Sequence, residues 1–418
     1  MSTVNGFART EFACRDLISV IARERLGVSE IGEMISLIAE NDAISFGAGE
    51  PSADMFPAES VRDAMNLAFM EPDVWGYHHD DYGLMELREW IASRMKRDGM
   101  APDWVGPENI LLTNGGGEAV SLTTEALVDP GSLVLVESPA YTESLLTFRK
   151  QGGVRVAVPS DGDGIIPSEL ARIASRRAAR FLYTVPNFQN PSGRTTPIER
   201  RAEILDILRE NGMALVEDDP YHYLSYDGPP PDSYLKLAGE DMRVIHVNSF
   251  SKIIAPGLRV GWAVIPPPLV KIFSSLRISA GLGRPLAIQR GVLTYLRGVD
   301  FKAMTAGLCR EYRCRRDAML SMIEKYLTPL GIRTNRPAGG FFIWGEAPGA
   351  ADAEKFARYA VRKEKIGIIP GSAFYLDGDR GGDGSFRLSY SKVRIDAMEE
   401  GMSRLARAWS SYSKLVKG

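Results

Sequence analysis

The chain has 418 residues, 44% of them apolar and 25% charged, with a formal net charge of −3 at pH 7. That length suffices for two domains with large cores, and the composition is that of an ordinary globular protein. The small net charge argues against a nucleic-acid partner recognised by bulk charge, and the three cysteines, Cys14, Cys309 and Cys314, form no Cys-x-x-Cys pair and no disulfide framework.

The opening residues carry no charged-then-apolar signal pattern, and no apolar run reaches membrane-span length; a reduced, cytoplasmic setting without a membrane partner is the expectation. From Arg15 to Glu40, Leu17, Ile18, Ile21, Leu26, Ile31, Met34, Ile35 and Ile38 recur at helical spacing, which predicts one or two helices. The middle of the chain alternates short apolar strands with helical stretches. The strand candidates are 110–112, 133–136, 181–183, 214–216 and 244–247, in the pattern of a mostly parallel sheet covered on both faces. From about Leu296 long helices take over, one spanning much of Thr305 to Lys325, and Cys309 and Cys314 fall on it. The glycine-rich stretch 378–384 reads as a surface loop. The expected division is an N-terminal segment 1–55 that joins a smaller domain, a large domain 56–295 and a small C-terminal domain 296–418.

The strand Val244-Ile245-His246-Val247 runs straight into Ser249, Ser251 and Lys252, and Arg259 follows seven residues after the lysine. Solvated lysines seldom sit at the mouth of a buried strand between small hydroxyl residues. Two hydroxyls, an amine and a guanidinium can together satisfy the oxygens of a phosphate dianion. The arrangement suits a lysine that forms a Schiff base with a carbonyl cofactor such as pyridoxal phosphate. Asp218, at the end of another apolar strand, is a carboxylate that needs a partner if buried, with neighbouring Glu217 and Asp219 as competing candidates.

The block Ser249-Phe250-Ser251-Lys252 to Arg259-Val260-Gly261-Trp262 resembles the lysine motif of the fold-type I pyridoxal-phosphate enzymes, class I/II aminotransferases. It is most similar to the branch holding 2-aminoadipate and aromatic aminotransferases and the MocR-type regulators. Further motifs stand in the family's order along nearly the whole chain. They are Ile44-Ser45-Phe46 to Phe56-Pro57, Gly83 to Arg88, Thr113-Asn114-Gly115, Pro139-Ala140-Tyr141 and Pro186-Asn187-Phe188-Gln189-Asn190-Pro191-Ser192-Gly193. After these come Glu217-Asp218-Asp219-Pro220-Tyr221, the lysine block, Pro337-Ala338-Gly339-Gly340-Phe341-Phe342 and Phe386-Arg387-Leu388-Ser389.

The resemblance implies an α/β fold with a mostly parallel, seven-stranded type of sheet in the large domain and a smaller α+β domain. It implies pyridoxal 5′-phosphate bound to Lys252, with Asp218 on the pyridine nitrogen and Tyr221 and Asn190 on the ring's phenolic oxygen. Tyr141 would stack on the ring. Ser249, Ser251, Arg259 and the amides of Gly116 and Gly117 would hold the phosphate. Arg387 would grip the substrate α-carboxylate, with Gly49 allowing close approach. No metal ligands are assigned. The implied activity is transfer of an amino group between an L-α-amino acid and a 2-oxo acid. The implied assembly is a homodimer in which Tyr77 reaches the neighbour's phosphate.

Two departures from the family pattern stand out. Gly115-Gly116-Gly117-Glu118 lacks the usual polar side chain of the phosphate loop and adds an acid, and the position of the family tyrosine holds His78, with Tyr77 displaced by one and His79 beside it. These keep open an elimination, replacement or cyclisation enzyme using the same cofactor. A non-catalytic sensor of the MocR type is disfavoured, because the pattern begins within the first fifty residues. Phe46, Tyr77, His78, Phe188 and Phe374 are the candidate side-chain pocket, a lining that suits aromatic, aminoadipate-like or larger substrates.

Overall fold

The computed structural model describes residues 17–25, 29–77, 80–241, 243–281, 285–349 and 352–417. Two of the features singled out above, His78-His79 and Cys14, lie outside the described residues. The N-terminal part contributes a helix at Glu30–Glu40 and the short strand β1, Ile44–Ser45. The helix starts where the sequence supplies a cap: the Ser29 hydroxyl accepts from the Gly32 amide, and Glu30 and Glu33 fill the first turn. Of the helical expectation from Arg15, only a five-residue π turn at Ile21–Arg25 precedes it among the described residues.

The large sheet is built from β2 (Ile110–Thr113), β3 (Leu133–Ser138), β4 (Val154–Asp161), β5 (Gly164–Ile165), β6 (Ala179–Thr184), β7 (Ala214–Asp218), β8 (Val244–Ser249) and β9 (Gly261–Val264). Their spatial order is β2-β9-β8-β7-β6-β3-β4-β5. Strands β8, β7, β6, β3 and β4 run parallel, β9 runs antiparallel between β8 and β2, and β5 is a two-residue antiparallel edge. Seven substantial strands plus that edge give an α/β architecture with the mostly parallel sheet read from the sequence. The central strands β3, β6, β7 and β8 are buried over most of their length, which is why they read as apolar runs. Because β4 and β6 flank β3 on opposite sides, the winding reverses at β3, and such reversals open a crevice at the strands' carboxyl ends.

A second, antiparallel sheet has the order β10-β11-β14-β13, from Arg333–Thr334, Phe342–Glu346, Ser385–Ser389 and Ile369–Pro370. Helices Phe301–Tyr326, Ala353–Glu364 and Ile395–Lys417 accompany it. Strand β12 (Ile366–Gly367) pairs in parallel with β1, and the Ser389 amide donates to the Phe46 carbonyl at 2.7 Å. The segment 44–50 is thereby strapped to the C-terminal third of the chain. The helix predicted for Thr305–Lys325 runs from Phe301 to Tyr326, capped by Asp300, and it carries Cys309 and Cys314 as free thiols. No helix among the described residues is long and apolar enough to cross a membrane.

One close approach ties β9 to the loop after β2. A Cβ built on Gly261 would lie 2.6 Å from the Gly115 carbonyl carbon and 2.9 Å from the Gly116 nitrogen, all backbone atoms that cannot swing aside. Gly261→Ala should therefore destabilise the fold by about 1–3 kcal/mol, the usual cost of overpacking a tight contact. The check is the urea-unfolding midpoint, and an unchanged midpoint would contradict the contact.

Candidate active site

The carboxyl ends of β2, β3, β6, β7 and β8 meet at one edge of the large sheet, and there the chain encloses a cavity of about 470 Å³. Gly49, Gly116, Gly117, Tyr141, Asn190, Asp218, Tyr221, Ser249, Ser251, Lys252, Arg259 and Arg387 all line it. Tyr77 does not: it stands 77% exposed on the surface of its own chain. The size lies within the range of small-molecule sites.

The three consecutive acids are all buried, and each has a different partner. Adjacent residues on a strand point to opposite faces, so Glu217 turns away from the cavity. It accepts from the Tyr234 and Leu235 amides at the start of the helix Tyr234–Ala238, and it pairs with His246 Nδ1 at 2.9 Å. Asp219 is held by the Asn187 amide at 2.9 Å and by His222 Nδ1 at 3.0 Å. Of the three only Asp218 faces the cavity, and among the described residues its side chain accepts from a neutral group, the Tyr183 hydroxyl, at 2.7 Å. Burial pushes its carboxyl up to about 6, while the Tyr183 bond pulls the other way. The sequence favoured Asp218 over its two neighbours; strand alternation and the buried partners separate the three.

Lys252 follows β8 in a short 3₁₀ turn, and its Nζ donates to the Gly49 carbonyl at 3.1 Å. Burial, with the positive charge of Arg387 second, lowers its amine to about 8. Arg387, on β14, is 2% exposed. Its Nη1 donates to the Asn190 side-chain oxygen Oδ1 at 2.6 Å and its Nη2 to the Gly47 backbone carbonyl at 2.7 Å. The guanidinium packs on the rings of Phe342 and Phe374, 4.3 and 4.9 Å from their centroids. Among the described residues its Nε has no hydrogen-bond partner, and burial brings the group down to about 10, so it stays charged near neutral pH. Neither Lys252 nor Arg387 forms an ion pair with a carboxylate among the described residues.

A second group of lining residues has the chemistry to hold an anion. The helix Gly116–Leu127 begins with two glycine amides, and Ser249, Ser251 and Arg259 close round it. Arg259 takes a left-handed backbone (φ 53°) and its Nη2 donates to the Asn114 carbonyl at 2.7 Å. Gly115 sits at φ 78°, and a Cβ there would strike that guanidinium at 2.6 Å. Glu118, the acid added to the glycine loop, accepts from the Asn114 amide at 2.6 Å, which ties its carboxylate to the loop backbone.

Some lining residues escaped the sequence reading: Ile31 and Ile35 from the N-terminal helix, Glu50, Ser144 and Thr147. The four-residue spacing of Ile31 and Ile35 marks one helix face but not what that face covers. The proposed aromatic lining is corrected: Phe46, Phe188 and Phe374 are core residues at 0%, 1% and 0% exposure and do not line the cavity. They sit beside the site's backbone, where apolar packing holds it.

Residues 41–405 match the family model for aminotransferases of class I and II. A 2-aminoadipate transaminase from Thermus thermophilus is 33% identical over 397 residues, covering 94% of this chain and 96% of the relative. An aromatic-amino-acid aminotransferase from Thermococcus litoralis is 29% identical, covering 90% of each. Among solved structures, a Thermus thermophilus α-aminoadipate aminotransferase complexed with N-(5′-phosphopyridoxyl)-L-leucine superposes with a TM-score of 0.87 at 32% identity, over 96% of this chain and 99% of that one. A Pyrococcus horikoshii kynurenine aminotransferase gives 0.88 at 30% identity, over 96% and 98%. The cavity suits a phosphorylated pyridine aldehyde: an amine near neutrality, an anion cradle, a carboxylate without a cationic partner in contact, and an orphaned guanidinium nitrogen all face one space. The chain belongs to the class I and II aminotransferases, and is a pyridoxal-phosphate-dependent enzyme acting on amino acids.

Proposed function

We propose that this enzyme moves the α-amino group of an L-α-amino acid to a 2-oxo acid, and that the cavity residues divide the work as follows. When bound, pyridoxal phosphate supplies an aldehyde and an electron-withdrawing ring. Lys252 provides the amine that holds it and, once displaced, carries a proton to and from the substrate α-carbon. Asp218 engages the ring nitrogen and keeps it protonated. Tyr141 lies on the ring face. Tyr221 and Asn190 donate to the phenolic oxygen; the Asn190 carbonyl oxygen is occupied by Arg387, which leaves its N–H groups as donors. Ser249, Ser251, Arg259 and the Gly116 and Gly117 amides hold the phosphate, and Arg387 binds the substrate α-carboxylate through its planar fork. Gly49 keeps the strap close to the substrate: a Cβ there would meet Phe342 at 2.9 Å.

The observation that carries this reading is two cations in one cavity, the buried Arg387 and the half-buried Lys252, neither ion-paired with an acid among the described residues. Burying an uncompensated charge costs several kcal/mol, so a site that does so is built for an anionic ligand. The wall formed by Ile31, Ile35 and Thr147 and the names of the relatives together support a long or aromatic substrate side chain, of the 2-aminoadipate or aromatic type. We also infer a cytoplasmic homodimer with shared sites, in which Tyr77 of one copy reaches the phosphate site of the other. In support, Tyr77 stands exposed near exposed Leu67, Met70 and Trp75.

Adding pyridoxal phosphate to the apoenzyme should produce a visible absorption band that Lys252→Ala abolishes; no band in the wild type would remove the reading. A panel of amino acids should then bleach the band, fastest for aromatic or aminoadipate-like members, with one equivalent of pyridoxamine phosphate formed. Release of a side-chain fragment instead would rule out transamination. Arg387→Ala should raise KM for amino acids roughly tenfold to hundredfold, the worth of hydrogen bonds to a charged group, while cofactor absorption persists. An unchanged KM would exclude Arg387 as the carboxylate ligand.

The Lys252 amine sets a pH dependence. With its value at about 8, about a tenth is neutral at pH 7, against roughly 0.03% for an unperturbed lysine. Only the neutral form attacks an aldehyde, so the rate of cofactor capture by apoenzyme should rise with pH and level off above about pH 8. A rise continuing past about pH 10, as for a solvated lysine, would contradict this.

A further inference from the structure

Asp218 has two carboxylate oxygens with different surroundings. Oδ1 lies on the cavity side, 3.9 Å from where a Cβ on Gly116 would stand. Oδ2 accepts from the Tyr183 hydroxyl at 2.7 Å, and that same hydroxyl accepts from Ser144 Oγ at 2.8 Å. A phenol has one proton to give. With Ser144 donating to the tyrosine oxygen, that proton is committed to Asp218, and each bond of such a chain polarises the next. Tyr183 does not line the cavity; it is fully buried at the end of β6, with its ring edge-on to Phe148 at 5.3 Å. Ring packing therefore fixes where its hydroxyl points.

We propose that Tyr183, oriented by Ser144, is a positioning residue for the cofactor: it anchors one oxygen of Asp218 and thereby presents the other to the ring nitrogen. This rests on the cofactor assignment above and adds a residue that the family's motif order did not point to. The charge arrangement explains the choice of a phenol. Glu217 and Asp219 have histidine partners in hydrogen-bond contact, and a cation in contact with Asp218 would compete with the ring nitrogen for the same carboxylate. A neutral donor steadies the carboxylate and leaves its charge available. The other groups that act on Asp218 are Asp219 on its own segment, His246 on β8, Lys252 beyond β8, Glu137 on β3, and the Tyr141 and Tyr221 phenols at the cavity.

The test is cofactor affinity, read by fluorescence quenching of apoenzyme titrated with pyridoxal phosphate between pH 6 and 9, for wild type, Tyr183→Phe and Ser144→Ala. Tyr183→Phe keeps the ring and removes one oxygen; it should weaken binding roughly tenfold to hundredfold, as expected for a hydrogen bond to a charged group. The lost bond favoured the ionised carboxylate, so acidification should erode affinity from a higher pH in the variant than in wild type. Ser144→Ala should shift both in the same direction by less. In an Asp218→Asn background, removing the phenol should change affinity less than twofold. Wild-type affinity and pH profile in Tyr183→Phe would overturn the proposal and leave the cofactor assignment standing, as would an equal loss in the Asp218→Asn background. Failure of the wild type to bind pyridoxal phosphate would overturn both. If Tyr183→Phe does not fold, Ser144→Ala decides by the same criteria.

Discussion

A lysine amine and an arginine guanidinium share a cavity in which neither is ion-paired with a carboxylate among the described residues, and most features of the site answer to that arrangement. Left uncompensated, such charges would destabilise the fold by several kcal/mol. The protein offsets part of this with neutral acceptors and aromatic faces: the Gly47 and Gly49 carbonyls, the Asn190 amide oxygen, and the rings of Phe342 and Phe374. These groups hold the cations in place without neutralising them. What remains is two cations whose charge is available to an anionic ligand.

The run of three acids shows the same economy from the opposite sign. A buried triplet of carboxylates repels itself, yet strand alternation and a tight turn send the members in separate directions. Glu217 meets a helix N-terminus and His246, while Asp219 meets Asn187 and His222. Asn187 in turn accepts from the buried Arg201, so Asp219 ends a network that runs away from the cavity. Asp218 keeps its charge on offer because its neighbours have taken theirs elsewhere.

Much of this was legible in the sequence because the site is made at strand ends. Lys252, Asp218, Asn190 and Tyr141 each follow an apolar run, and parallel strands must deliver their carboxyl ends to one edge. What could not be read depends on contacts between distant elements. Strand β4 alternates partly exposed residues at the sheet margin and gives no continuous apolar signal, and β9 is hidden inside the block that follows the lysine. Tyr183 looked like a strand residue; a hydroxyl deep in an apolar run signals an unmet hydrogen bond but not its partner. Phe46, Phe188 and Phe374 were misassigned because aromatic residues near a motif pack behind a wall as readily as they face a ligand. Glu118 stood out as an added acid in the glycine loop, and nothing in the sequence showed that a backbone amide engages its oxygen.

The contact between Gly261 and Gly115 joins strand β9 to a loop about 146 residues earlier in the chain, backbone to backbone. The anion cradle is therefore assembled when β2 and β9 pair, and little conformational freedom is left to lose when a ligand arrives. Tight retention of a phosphorylated guest then owes as much to sheet formation as to the charges that touch it, and damage far along either strand would surface as a leak of that guest.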